Sequence, residues 1–165
     1  MIERPTNPGP FNTALETGLR STAILAAAFP ASFDLHLLVI FDHLVVHTRD
    51  VGGPESLHAN VPMRSAELLV RRDLVDRGLM LMMSRGLVDR HVGETGITFA
   101  AGDFAETFLA SLTSAYLADL RDRSRWVANW YSQLGEEEFK RQIDRYFGNW
   151  VHQFQVAHRS LAGHL

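Results

Sequence analysis

The chain carries eight histidines and no cysteine, and three of the histidines are spaced to act together. If residues 34–48 are helical, His36, His43 and His47 project within one narrow arc, and Asp50 continues the line past the helix end. A His-xxx-His pair such as 43 and 47 lets two imidazoles meet one metal ion. Leu44, however, follows His43 where metalloproteases of that motif carry their acid, so the general base is missing. The rest of the stretch is almost all apolar, and a thin polar stripe on a buried helix accounts for the three without a metal. A pH-sensitive contact is the simpler role for them.

A second grouping, Glu55, Ser56 and His58, has the residue types of a hydrolytic triad. Such a triad needs a histidine bonded to the serine, an orienting acid and an oxyanion hole. No G-x-S-x-G elbow accompanies it, and loop serines and acids serve equally well to bond nearby backbone. A phosphate-binding G-x-x-x-x-G-K-[ST] run is excluded, because Lys140 is the only lysine and no such run surrounds it. Without cysteine, thiolate nucleophiles, thiolate metal sites and disulfides are ruled out together. No catalytic, metal or cofactor site is assigned, and the chain is expected not to be an enzyme.

These residues must be positioned by a mostly helical scaffold. Thr13-Ala14-Leu15-Glu16 reads as a capping box opening a helix to about Phe29, which Pro30 halts. Ser32 reads as the N-cap of the next, which runs to about Thr48 and is apolar on nearly every side. Asp50 to Pro62 is the one long loop, and its length and rigid Gly-Gly-Pro exceed what a helix connection needs. That marks Asp50, Gly52, Gly53, Pro54, Glu55, Ser56, Leu57 and His58 as a docking element. Alanine at Glu55 and His58 is expected to weaken assembly at an unchanged thermal midpoint. Ser65 caps a helical region over 66–84 that Gly78 is placed to break.

Gly86 then ends the helix, Leu87-Val88-Asp89-Arg90 extends, Gly93-Glu94-Thr95-Gly96 turns, and Ile97-Thr98-Phe99 alternates back. Helices followed by a short hairpin give the layout of a winged helix-turn-helix. Asp103 and Ser114 read as caps of two further helices, the second carrying Leu117, Leu120, Val127, Tyr131 and Leu134 at helical spacing. Gly135 stops it. Glu136-Glu137-Glu138 opens a last helix with the stripe Phe139, Ile143, Phe147, Trp150 and Phe154, and His158-Arg159 suit its end. The fold class expected is mostly α: a winged helix-turn-helix core with a β-hairpin wing, an extra N-terminal helix and a C-terminal helical hairpin. Its parts are an extended arm over 1–12, the winged core over 13–101 and C-terminal helices over 102–165 packed on that core as one compact domain.

Composition bounds the partners. At 165 residues and 46% apolar the chain can bury a sizeable core. Its longest apolar runs fall short of the ~18 residues that cross lipid. Residues 1–10 are polar and proline-rich, so no signal peptide is expected and a cytoplasmic home is. A nucleic-acid binder usually carries a basic surplus, yet Asp and Glu outnumber Lys and Arg by 19 to 16. Arg71, Arg72, Arg77, Arg85 and Arg90 are the available DNA donors. Asp73, Asp76, Asp89 and Glu94 are interspersed among them, as on a salt-bridged solvent face. Trp126 and Trp130 fall at the edge of the 117–134 stripe, and aromatics of that kind anchor protein interfaces.

Taken together, several segments give the chain a family character: Pro10–Arg20 (PFNTALETGLR), His47–His58 (HTRDVGGPESLH), Arg64–Arg72 (RSAELLVRR), Ser84–Val88 (SRGLV) and Glu94–Ile97 (ETGI). The chain resembles the second type of middle component of bacterial ABC-three component systems, over about the first 120 residues. GGPESLH is the distinctive element, whereas RGLV belongs to winged helices generally. The resemblance implies an anti-phage conflict system in which a small adaptor joins an SMC- or Rad50-like ABC ATPase to an effector, often a nuclease. DNA contact would then run through the complex, and whether the chain forms a homodimer is left open. The alternative from another class is a winged-helix transcriptional regulator that binds DNA itself.

Overall fold

The structure, a computed structural model, describes residues 13–59 and 65–147. Among them are six α-helices, a short 3₁₀ turn and one two-stranded antiparallel hairpin. Helix α1 (Ala14–Ala27) opens as its sequence predicts: the Glu16 amide donates to the Thr13 hydroxyl at 3.2 Å and the Thr13 amide to the Glu16 carboxylate at 3.1 Å. Helix α2 (Leu35–Val46) starts later than expected. Its cap is Asp34, whose carboxylate accepts from the Leu37 amide at 2.8 Å, and not Ser32. The cause lies elsewhere in the chain. Phe33 exchanges both backbone hydrogen bonds with Phe99, which holds residue 33 extended.

Helix α3 (Ser65–Ser84) runs unbroken through Gly78, contrary to the expected break. Gly78 instead lets α1 approach: a Cβ there would stand 2.7 Å from the Gly18 amide nitrogen, and a Cβ on Gly18 would stand 2.8 Å from the Gly78 carbonyl. Two glycines facing each other let the helix backbones touch. The helix ends where the sequence indicates. Gly86 takes φ +71°, the Leu87 amide donates to the Met82 carbonyl and the Gly86 amide to that of Met83, a Schellman closure.

Strands β1 (Val88–Gly93) and β2 (Gly96–Ala101) pair in register from Val88↔Ala101 to Gly93↔Gly96. Helix α4 (Ala105–Ser111) follows, and Asp103 does not cap it. The Gly102 amide donates to the Leu87 carbonyl and the Ala105 amide to that of Gly102, so the helix begins past Phe104 with no side-chain cap. Helix α5 (Ala115–Leu134) is capped by Ser114 and closed by Gly135 at φ +79°, and α6 (Glu136–Phe147) turns back against it. The buried core joins Ile24 and Leu25 of α1, Leu38, Phe41 and Leu44 of α2, Leu79 of α3, Leu120 and Val127 of α5, and Phe139 and Ile143 of α6. The expected arm over 1–12, the loop end at Pro62, the stripe positions Trp150 and Phe154, and His158-Arg159 lie outside the described residues.

Candidate functional site

The loop after α2 is held down residue by residue. Thr48–Val51 form the 3₁₀ turn, and Gly52 reverses the chain at φ +80°. The Thr48 hydroxyl donates to the Pro54 carbonyl at 2.8 Å, and the Ser56 hydroxyl accepts the Arg49 amide at 3.1 Å. The amides of Leu57 and His58 both donate to the Val46 carbonyl, one of the acceptors that the end of α2 leaves open. Helix α5 then covers the loop from outside. Arg123 donates to the Glu55 carbonyl at 2.8 Å, and the Trp126 ring lies so close over Gly53 that a Cβ there would stand 2.7 Å from it. His58 Nε2 and the Tyr116 hydroxyl share a hydrogen bond of 2.9 Å.

Behind the loop lies a buried polar centre. Asp42 of α2 receives Arg20 of α1 through Nε at 2.7 Å and Arg71 of α3 through Nη1 at 2.5 Å. Arg20 also donates to the Thr17 hydroxyl at 3.2 Å. Burial alone would drive the Asp42 carboxyl upward, but the two guanidinium groups outweigh it and hold it below the usual carboxylate range. Burial likewise opposes the Arg20 charge, and Asp42 more than offsets that and raises its pKa. The histidines beside this centre move the other way. Burial, then Arg71 and His47, lowers His43 to about 3, and burial, then Arg20 and His47, lowers His58 to about 4. Burial lowers His47 too, against the pull of Asp50. Their rings gather as neutral imidazoles, with centroids 4.5 Å apart for His43 and His47 and 6.3 Å for His47 and His58.

The structure brings together some of the sequence-predicted residues and separates others. His43 and His47 meet, whereas His36 faces a separate hollow of about 580 Å³ with Tyr131 and Lys140. No group of three or more His, Asp or Glu side chains among the described residues is arranged to hold a metal ion. Glu55, Ser56 and His58 bond in three directions: to Arg123 through the Glu55 backbone, to the Arg49 amide and to Tyr116. Of the loop residues, Gly52 and Glu55 are exposed, while Asp50, Gly53, Pro54, Ser56, Leu57 and His58 are partly buried. Because His58 is tied into the scaffold, its replacement by alanine would change stability as well as surface. Glu55, whose side chain is exposed, is the cleaner probe. Trp126 and Trp130 are stacked with centroids 5.6 Å apart, and Trp130 meets Phe139 edge-on, so both rings are partly used within the chain.

Among the predicted DNA donors, Arg71 is committed to Asp42, Arg77 pairs with Asp73 at 2.8 Å, and Arg72 is partly buried. Arg85 and Arg90 are exposed. The residues that the sequence reading missed are Arg20, Asp42, Tyr116 and Arg123. Asp42 did leave a signal: a lone acid inside Leu35–Val46, otherwise apolar apart from its histidines, must find a cation if it is buried. Which cation it finds is invisible locally.

Residues 10–153 match the family model of the ABC-three component (ABC-3C) system Middle Component 2, and the chain belongs to that family. No curated protein and no solved structure matches the chain.

Proposed function

We propose that this middle component 2 is a non-catalytic adaptor that joins an SMC- or Rad50-like ABC ATPase to an effector in a bacterial defence system, within the cytoplasm. The reading starts from family membership, since a middle component works among other components. The observation that carries it further is the loop over residues 48–58. Most of its residues are fastened by backbone or side-chain bonds to α2, to α5 or within the loop, yet the Glu55 side chain is exposed to solvent. A surface loop pre-ordered in this way loses little entropy on binding, which suits a docking element. The helices with the β1–β2 hairpin after α3 are read as a winged-helix core that presents the loop, with α5 and α6 packed on it. No helix among the described residues is long and apolar enough to cross a membrane.

Co-expression with the ATPase encoded beside it tests the reading. The two are expected to co-purify at low and high salt, and E55R is expected to reduce recovery at an unchanged thermal midpoint. Recovery of the chain alone under both conditions overturns the adaptor. A salt-steep shift of duplex DNA by the isolated chain would favour the regulator instead. With Arg71 and Arg77 already paired, that shift is expected to be absent.

A further inference from the structure

Helix α5 has two flanks beside its buried stripe of Leu120, Ser124 and Val127. One flank bears Arg123 and Trp126 and holds the loop described above. The other bears Arg121, Arg125 and Asn129, spaced i, i+4 and i+8 so that their donors line one face. These three border a hollow of about 300 Å³ whose floor is Ala23, Ala26 and Ala27 of α1. The alanines are too small to fill the space between the helices, so the guanidinium groups stand over a floor with no side chain to meet them.

One carboxylate already enters. Glu106 of α4 pairs with Arg121, whose side chain is mostly buried, while Glu106 itself is largely exposed. Arg125 is exposed, and no acid among the described residues pairs with it. Two forked cations therefore border the hollow but only Arg121 holds a carboxylate, and Glu106 shows which chemistry the hollow accepts. We propose that this hollow is a docking notch for an acidic segment of a partner protein, whose carboxylate is received by Arg125 and competes with Glu106 for Arg121. Guanidinium groups take carboxylates in a planar two-point grip, so the notch reads a carboxylate as a shape as well as a charge. A nucleic acid is the poorer occupant. Its phosphates bring about one charge per 1.7 Å toward a chain of net charge −3. The notch lies on the opposite flank of α5 from the 48–58 loop and stands or falls independently of the adaptor reading.

Fluorescence anisotropy of a labelled hexaglutamate peptide with the full chain, at low salt, tests it. Saturable binding is expected. R125A should weaken it about tenfold, the loss of a charge-assisted pair. R125K should weaken it by a smaller factor, because the ammonium keeps the charge and loses the fork. E106Q should tighten it several-fold by releasing Arg121, a gain that no folding defect could produce. An R85A/R90A variant, which leaves the notch intact, should bind like the parent. Equal loss in R85A/R90A and R125A would make the binding nonspecific and overturn the notch, as would no gain in E106Q. Tighter, R125-dependent binding of a 20-base-pair duplex would assign the site to nucleic acid instead.

Discussion

The two sides of α2 are built from opposite materials. Toward α5 and α6, Phe41 sits in a nest of rings: Phe33 at 5.0 Å, Tyr131 at 5.4 Å and Phe139 at 5.6 Å between centroids, two of the three nearly edge-on. Toward α1 and α3, the very next residue, Asp42, is equally buried but held by two arginines. The aromatic side contributes apolar area, and its edge-to-face contacts add about 0.5–1.5 kcal/mol per pair. It accepts any helix that offers apolar rings. The ionic side accepts one arrangement, since sliding α2 against α1 or α3 would strand a charge in the interior. The one supplies cohesion and the other selects the helix pairing.

That contrast is open to direct attack. The largest effect is expected from D42N, which leaves Arg20 and Arg71 without their carboxylate and should cost about 3–5 kcal/mol in urea unfolding. A triple variant R20M/D42L/R71M should recover much of that loss, because apolar side chains remove the desolvation cost along with the charges. If D42N unfolds at the parental urea midpoint, the ionic side selects nothing.

Acid should separate the two sides next. His43 titrates near 6.5 in the unfolded chain and near 3 when folded, so the unfolded state binds more protons between those values and stability falls as pH drops through that window. At pH 5 the loss should be about 2 kcal/mol for His43, read as a fall in thermal midpoint relative to pH 7.5. His58, partly exposed, adds less, and the lowered carboxyl of Asp42 acts in the same direction at more acid pH. H43Q should flatten the profile; an unchanged slope would show that the imidazole does not stay neutral in the folded state. The smallest effect is expected on the aromatic side, where F41L keeps an apolar side chain but forfeits its ring contacts and should cost about 1–2 kcal/mol at any pH. A pH-dependent cost for F41L would mean that the two sides are not separable.

Local chemistry was legible wherever the cause was local. The Thr13–Glu16 box, the Gly86 closure, the Gly93–Gly96 turn, the Ser114 cap and the Gly135 stop all lie where their residue types place them. The misreadings share one cause, a partner distant in the chain. Ser32 lost its cap role because Phe33 pairs with Phe99, and Gly78 spans a helix interior because Gly18 packs on it. Asp103 caps nothing because Gly102 is drawn to Leu87. At the candidate site the GGPESLH loop stood out by its length and its Gly-Gly-Pro. That Gly53 lies under an indole could not be read, because Trp126 stands far along the sequence.

From its sequence alone this chain was committed to helices with a hairpin after the third, to chemistry without thiols and to a family of middle components, because composition, caps and turn residues act within a few residues of one another. The tertiary structure decided which cations meet Asp42, how Tyr116, Arg123 and Trp126 fasten the loop, and where the alanines of α1 leave room beneath Arg125. The reason is physical: a buried charge or an empty volume is defined by everything packed around it, and no stretch of chain carries that information by itself.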